Sequence, residues 1–181
     1  MDAVRRRRKT NWYILTGGPC SGKTKTIEYL AFLGHKTIPE AARVFIDNEA
    51  SKGIAVEQLR KDEIEFQRKV LDIKKQVEER IDESELYFFD RAVPDTIAYD
   101  KINGINTEEL EKYSMKTQYK KVFFLEQLKY EKDDARVEDD QLGKLISEKL
   151  YEIYTNLGYT LIIIPANSIE ERARLILKHV E

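Results

Sequence analysis

A lysine and a threonine that close the stretch TGGPCSGKT at 16–24 carry the clearest chemistry in this chain. Gly17, Gly22, Lys23 and Thr24 satisfy G-x-x-x-x-G-K-[ST]. Small residues at this spacing let successive backbone N–H groups turn inward around phosphate oxygens. A helix starting at Lys23 adds its positive end. The Lys23 ammonium can then reach the β- and γ-phosphates of a nucleotide, and the Thr24 hydroxyl can ligate Mg²⁺. Gly17, Gly18, Pro19, Cys20, Ser21, Gly22, Lys23 and Thr24 are therefore assigned to nucleotide phosphates. A chance match in a chain of this length has a probability of roughly half of one per cent, so a merely tight glycine turn is set aside. Cys20 sits where a helix end could favour its thiolate, but it is read as a small residue whose backbone does the binding.

The elements that must hold this loop follow from hydrophobic patterning. WYILT at 12–16, LYFFD at 86–90, KVFFL at 121–125 and TLIII at 160–164 are nearly continuously apolar. Such runs suit strands buried on both faces of a parallel sheet. KTIPE at 36–40 is a weaker fifth, placed at an edge because Pro39 cannot donate to a ladder. Helical spacing links Ile27, Leu30 and Ala31, with Gly34 at the expected C-cap. A long charged helix is expected from about 56 to 82, striped by Leu59, Phe66, Val70, Ile73 and Val77. Another carries Leu142, Leu145, Ile146, Leu150, Ile153, Tyr154 and Leu157 and is closed by Gly158. Ser168 and Glu171 form a capping box for a last helix. Strand and helix in alternation imply a three-layer α/β domain with its ligand site beyond the carboxyl ends of the strands.

The 181 residues fit one domain, read as 11–181 behind a basic tail at 1–10. A charged fraction of 35% with a net charge of −2 gives no global field for nucleic acid, so such a partner is disfavoured. Arg5 to Lys9 form a local basic run, expected to be a mobile, solvated tail. No apolar stretch is long enough to span a membrane, and the basic run lacks the apolar region of a signal peptide. One cysteine, Cys20, excludes an intramolecular disulfide and a thiolate metal cluster, and a reducing cytoplasm is the natural compartment.

What becomes of the phosphate depends on residues elsewhere. A GTPase switch needs D-x-x-G after the neighbouring strand, but the strand ends FFDRAVP, with Val93 in the glycine position, and no N-K-x-D occurs. An oligomeric motor would end that strand in Asp-Glu and continue into a helical lid domain; this chain has Asp90-Arg91 and is too short. Asp-Arg at this strand end fits a small-molecule kinase.

ILTGGPCSGKT, IPEAAR, FFDRAVPDTIAYDKINGI and PANSIEERARLIL together resemble the family of small AAA-type ATP-binding domains related to bacterial nicotinamide-riboside kinase domains. They are similar, more distantly, to deoxynucleoside and thymidylate kinases. The resemblance spans roughly residues 11 to 180. It implies a P-loop NTPase fold with a parallel five-stranded sheet in the order 2-3-1-4-5. It further implies ATP with Mg²⁺, and a small phosphate acceptor bound beside the ends of the second and third strands.

Asp90, at a strand end beside the loop, can hold the Mg²⁺ shell or accept the proton of an attacking hydroxyl; it can equally cap the helix near Pro94. Arg91 can clamp phosphate oxygens or form a surface ion pair. Glu40 and Arg43 share a helical face around small Ala41 and Ala42, as ligand-binding residues or as a simple ion pair. By resemblance, Glu40 binds the acceptor hydroxyl and is the alternative base to Asp90. Asp95 and Tyr99 fall one turn apart on the helix after Asp90, facing the same cleft, although Tyr99 also suits core packing. By resemblance Gln67 lies on the helix that covers the acceptor. The charged, aperiodic segment 125–140 occupies the place of a closing lid, with Arg136 as its only arginine. The expected activity is Mg-dependent transfer from ATP to a nucleoside-like or nucleotide-like metabolite, and a homodimer is compatible with it. The rival is a regulatory nucleotide-binding module or slow nucleotidase acting on a protein partner.

Overall fold

Trp12–Thr16 (β1) is buried along its whole length, as expected of a strand with neighbours on both edges and both faces. The computed structural model describes residues 7–128 and 137–180. In it β1 pairs in parallel with Tyr87–Asp90 and with Lys121–Leu125. Thr37–Ile38 extends the sheet on one side and Leu161–Ile164 on the other. Labelled in chain order, these are β1 (12–16), β2 (37–38), β3 (87–90), β4 (121–125) and β5 (161–164). The spatial order is β2-β3-β1-β4-β5, the 2-3-1-4-5 arrangement that the resemblance implies.

Alternation along the strands sorts the core into two faces. Tyr13 and Leu15 join Phe88, Phe123 and Ile164 against Lys23–Phe32 (α1) and Ile169–Leu177, the last helix. Trp12 and Ile14 point the other way, with Phe89 and Val122, toward Tyr154 of a helix at Val137–Asn156. Helices on both faces make the three layers. In chain order the remaining helices are α2 (Ala41–Ser51), α3 (Val56–Leu59), α4 (Glu63–Arg80), α5 (Val93–Ile102) and α6 (Glu108–Ser114), and the last two are α7 (137–156) and α8 (169–177).

Three expectations change. The helix expected over 56–82 is two helices, because Asp62 interrupts it: its carboxylate accepts the Glu65 N–H at 2.9 Å and starts α4 afresh. Before α8, Ser168 Oγ accepts the Glu171 N–H at 3.2 Å, but the Glu171 carboxylate binds Arg174 instead of completing a box. The basic run is not all tail. Arg8–Lys9 pairs in parallel with Thr117–Gln118, Arg8 Nη2 donates to Glu78 O at 3.1 Å, and its guanidinium lies 5.0 Å from the Trp12 ring centroid. Arg8 Nε also lies 3.6 Å from Glu83 Oε2, so a peripheral ion pair adds to the packing of the arginine stem. Among the described residues no helix is long and apolar enough to cross a membrane.

Candidate nucleotide and acceptor site

Parallel pairing brings two strand ends together: Leu15 of β1 is in register with Asp90 of β3. The glycine-rich loop after β1 and the Asp90-Arg91 pair therefore emerge side by side. The loop needs its glycines. Gly17 has φ +140°, and a Cβ there would stand 2.5 Å from the Leu125 carbonyl oxygen; Gly22, the N-cap of α1, has φ +74°. Ser21 Oγ donates to Gly18 O at 2.9 Å, and Lys23 Nζ donates to Gly18 O at 2.7 Å and to Ser21 Oγ at 2.9 Å. Lys23 thus lies folded across its own loop. Cys20 is exposed at φ +56°.

Burial, reinforced by the nearby Arg91 charge, brings the Lys23 ammonium down to about 7. A phosphate anion would favour the charged form and raise that value, so binding above pH 7 must take up a proton. Nucleotide affinity is expected to weaken about tenfold per pH unit above 7 and to be flat below about 6. Calorimetry in buffers of different ionisation enthalpy checks this: close to one proton should be taken up per nucleotide at pH 8, and none at pH 6.

Asp90 is almost fully buried. Its Oδ2 accepts the Thr24 hydroxyl at 2.7 Å, while Oδ1 is buried with no hydrogen-bond partner among the described residues. An orphaned carboxylate oxygen beside a hydroxyl is a donor set that suits Mg²⁺, a hard cation that keeps several of its waters. Burial, and then the charge of Glu40, push the Asp90 carboxyl above the usual range. Asp90 does not cap α5; Ala92 holds that position.

Arg91 has a left-handed backbone at φ +69°, strain of about 1–3 kcal/mol for a residue with a side chain. Several bonds hold it there. Its N–H donates to Leu15 O at 3.0 Å, Nε to Glu40 Oε1 at 3.0 Å, and Nη1 to Asp95 Oδ1 at 3.2 Å. The guanidinium also lies 5.4 Å from the Tyr99 ring centroid. Arg91 is therefore a buried ion-pair centre rather than a surface salt bridge.

Asp95 is fully buried and saturated. Besides Arg91 it accepts from Thr16 Oγ1 at 2.7 Å, Ala92 N–H at 3.0 Å and Tyr154 OH at 2.6 Å. Burial alone would raise its carboxyl, but Arg91 above all, with Lys74 and these donors, brings it below the usual range. It is thereby placed to hold Arg91 and β1 in position, and its oxygens are not directed to a ligand. Tyr99 packs against the core beside α7 and also lines the cavity.

That cavity, about 70 Å³, lies next to Arg91 and is lined by Glu40, Arg60, Gln67, Lys74, Arg91 and Tyr99 among others. Gln67 is buried on α4 and donates to Glu63 Oε1 at 2.8 Å. Arg43 is the exception. It is exposed on α2 and does not line the cavity, because Glu40 stands at the N-cap and turns to Arg91 instead. Arg136 lies outside the described residues; of the segment 125–140 read as a lid, Leu125 ends β4 and 137–140 begin α7, so the lid expectation is narrowed to the stretch between them.

Sequence reasoning missed Lys74, Thr16, Tyr154 and Arg172. Arg172 of α8 is buried at 1% exposure and donates to three carbonyls: Ser21 O, Glu126 O at 2.8 Å and Pro165 O at 3.0 Å. No motif marks it, since carbonyl acceptors leave no trace in side-chain spacing.

The family model described as an AAA domain matches residues 12–172. No curated protein matches the chain in sequence. Solved structures do match in fold. Deoxyadenosine kinase from M.mycoides, with products dCMP and dCDP bound, is 15% identical with a TM-score of 0.60, covering 92% of this chain and 96% of that one. The NadR protein in complex with NR is 17% identical with a TM-score of 0.59, covering 88% of this chain and 46% of that one. Thymidylate kinase from Candida albicans is 17% identical with a TM-score of 0.55, covering 94% and 90%.

Proposed function

The chain belongs to the AAA-domain family whose model spans residues 12–172, and from that premise we propose that it transfers the γ-phosphoryl group of ATP to a small hydroxyl-bearing acceptor. The observation that carries this reading is the recessed cavity next to Arg91, lined by Glu40, Gln67 and Tyr99. A switch that signals through a partner would present a flat, exposed surface there. The fold shared with nucleoside and nucleotide kinases supports a nucleoside-like or nucleotide-like acceptor.

The residues divide the work as follows. The loop backbone from Gly17 to Thr24 holds the phosphates, and Lys23 leaves Gly18 O and Ser21 Oγ to meet them. Thr24 and Asp90 would hold Mg²⁺, which supplies charge neutralisation on the phosphate oxygens. An acceptor oxygen forms the new bond to phosphorus while the bond to ADP breaks. The acceptor proton passes to Asp90, whose carboxyl burial raises above the usual range, or to Glu40, which is half-buried and already shares Arg91. Arg91 stabilises charge on the transferring group, and Tyr99 and Gln67 enclose the acceptor. Catalysis is then mainly positioning and electrostatics.

Incubation with Mg-ATP and a panel of hydroxyl metabolites, followed by ADP release, tests this. At least one acceptor should raise turnover well above the basal rate, and Lys23→Ala should abolish nucleotide binding. Basal turnover with every acceptor, together with intact Lys23-dependent ATP binding, would sink the kinase reading.

A further inference from the structure

Among the described residues three cations face the acceptor cavity, and they are not equivalent. Arg60 is satisfied by Glu63 at 2.9 and 3.0 Å and lies 4.1 Å from the Phe66 ring centroid. Arg91 is shared between Glu40 and Asp95. Lys74 differs. It is 9% exposed, its Nζ donates to Thr96 Oγ1 at 3.0 Å, and among the described residues no carboxylate lies within ion-pair distance. One hydroxyl satisfies one of its three N–H donors.

The surroundings do not compensate for this. Asp95, Glu40 and Glu78 attract the ammonium from farther away, Arg91 repels it, and burial dominates, holding it below the ordinary lysine range. Asp95 is already saturated by four donors, and Glu78 accepts from Tyr119 OH at 2.7 Å. Lys74 also stands where two chambers meet. The acceptor cavity lies on one side. On the other is a mostly apolar cavity of about 160 Å³ lined by Ile38, Val44, Ile73, Val77 and Phe89, with Arg91 shared between the two. A buried cation with spare donors, at the wall of a cavity, is costly to keep unless a ligand completes it.

We propose that the acceptor carries an anionic group of its own, a phosphate monoester or a carboxylate, and that Lys74 binds it. Resting on the assignment of the Glu40–Arg91 cavity to the acceptor, this narrows the substrate class. Neutral nucleosides and cationic acceptors are disfavoured, and phosphorylated or acidic hydroxyl compounds are selected. Lys74 is a specificity residue, away from the P-loop and from Asp90, which perform the transfer.

Matched acceptors separate the outcomes: thymidine against thymidine monophosphate, adenosine against adenosine monophosphate, and glycerol against glycerate. Binding is measured by calorimetry on full-length protein with the P-loop filled by Mg²⁺ and a non-hydrolysable ATP analogue, and turnover by ADP release. The anionic member of at least one pair should bind at least about thirtyfold more tightly. Lys74→Met should erase most of that preference, and Lys74→Arg should restore part of it. Because the ammonium has no carboxylate partner to strand, Lys74→Met should keep or raise the melting temperature. A preference within the phosphate pairs alone, or within the glycerate pair alone, identifies which anion the site takes.

Neutral members that bind as well as anionic ones would overturn the proposal. So would a Lys74→Met variant that loses both members equally along with thermal stability, since that is the behaviour of a structural lysine. Lys74-dependent anion binding without ADP release leaves this site standing and removes the transferase reading. Phosphorylation of neutral acceptors, unaffected by Lys74→Met, does the reverse. No binding by any pair removes both.

Discussion

Asp90→Asn is expected to lower phosphoryl-transfer turnover about a thousandfold while nucleotide binding persists. The substitution preserves shape, and an amide oxygen can still accept the Thr24 hydroxyl that Oδ2 now accepts at 2.7 Å. The change falls on Oδ1, the buried oxygen without a partner. An NH₂ group in its place presents positive edges where the unmodified site offers an acceptor, and it can neither support a divalent cation nor take a proton. Loss of a general base accounts for about 10²–10⁴ in rate, and loss of cation support acts on the same step. Glu40→Gln is the comparison. It weakens the clamp on Arg91 and removes the alternative base, but leaves the Thr24–Asp90 pair intact. A variant that loses orders of magnitude in single-turnover rate, while a fluorescent ATP analogue still binds, acts on the transfer step; a large loss in Glu40→Gln, which leaves the Thr24–Asp90 pair intact, would make Glu40 the base. If Asp90→Asn retains more than a tenth of the rate, the role given to Asp90 is wrong.

Arg91→Ala should be the most damaging single change to stability. It removes the cation between Glu40 and the fully buried Asp95 and leaves a low-pKa carboxylate with hydrogen bonds but without its principal counter-charge. Removing one partner of a buried pair costs about 3–5 kcal/mol, which for a chain of this size corresponds to a fall of roughly 10 °C in melting temperature. Alanine also keeps the left-handed strain at φ +69° without the bonds that compensate for it. Adding Asp95→Asn should recover part of the loss, because a neutral amide needs no counter-ion. Thermal unfolding of both single variants and the double variant checks this; additive losses would show that Arg91 and Asp95 are not coupled.

How much of this was legible depends on what each feature writes into the chain. The strands were readable because burial on both faces leaves continuous apolar runs, as in WYILT and KVFFL. The glycine-rich loop was readable because its backbone excludes side chains at Gly17 and Gly22. The break before α4 hinged on a single cap, Asp62, inside an otherwise helical charge pattern. Arg43 and Glu40 looked like partners by spacing, yet Glu40 reaches across 51 positions to Arg91, a contact set by tertiary packing. Lys74 carried a faint signal. It follows Phe66 and Val70 at intervals of four and belongs to the buried face of α4, but a lysine on such a face reads as a solvated residue until its surroundings are known. Asp95 was read as facing the cleft, and its actual partners carried no signal in the chain, because four donors from three different elements meet on it.

The three carbonyls gathered by Arg172 divide the machine mechanically. Ser21 belongs to the nucleotide loop, Glu126 follows β4 and Pro165 follows β5, so one guanidinium rivets three strand-end loops into a single rigid anvil. On the opposite side α4 is pinned as well, by Lys74 to Thr96 and by Glu78 to Tyr119, whereas α2 leans on α4 and Glu40 reaches the rest of the site through Arg91. Opening and closing for each turnover should then be carried by α2 swinging against a stationary nucleotide half, with the Glu40–Arg91 bond as its latch.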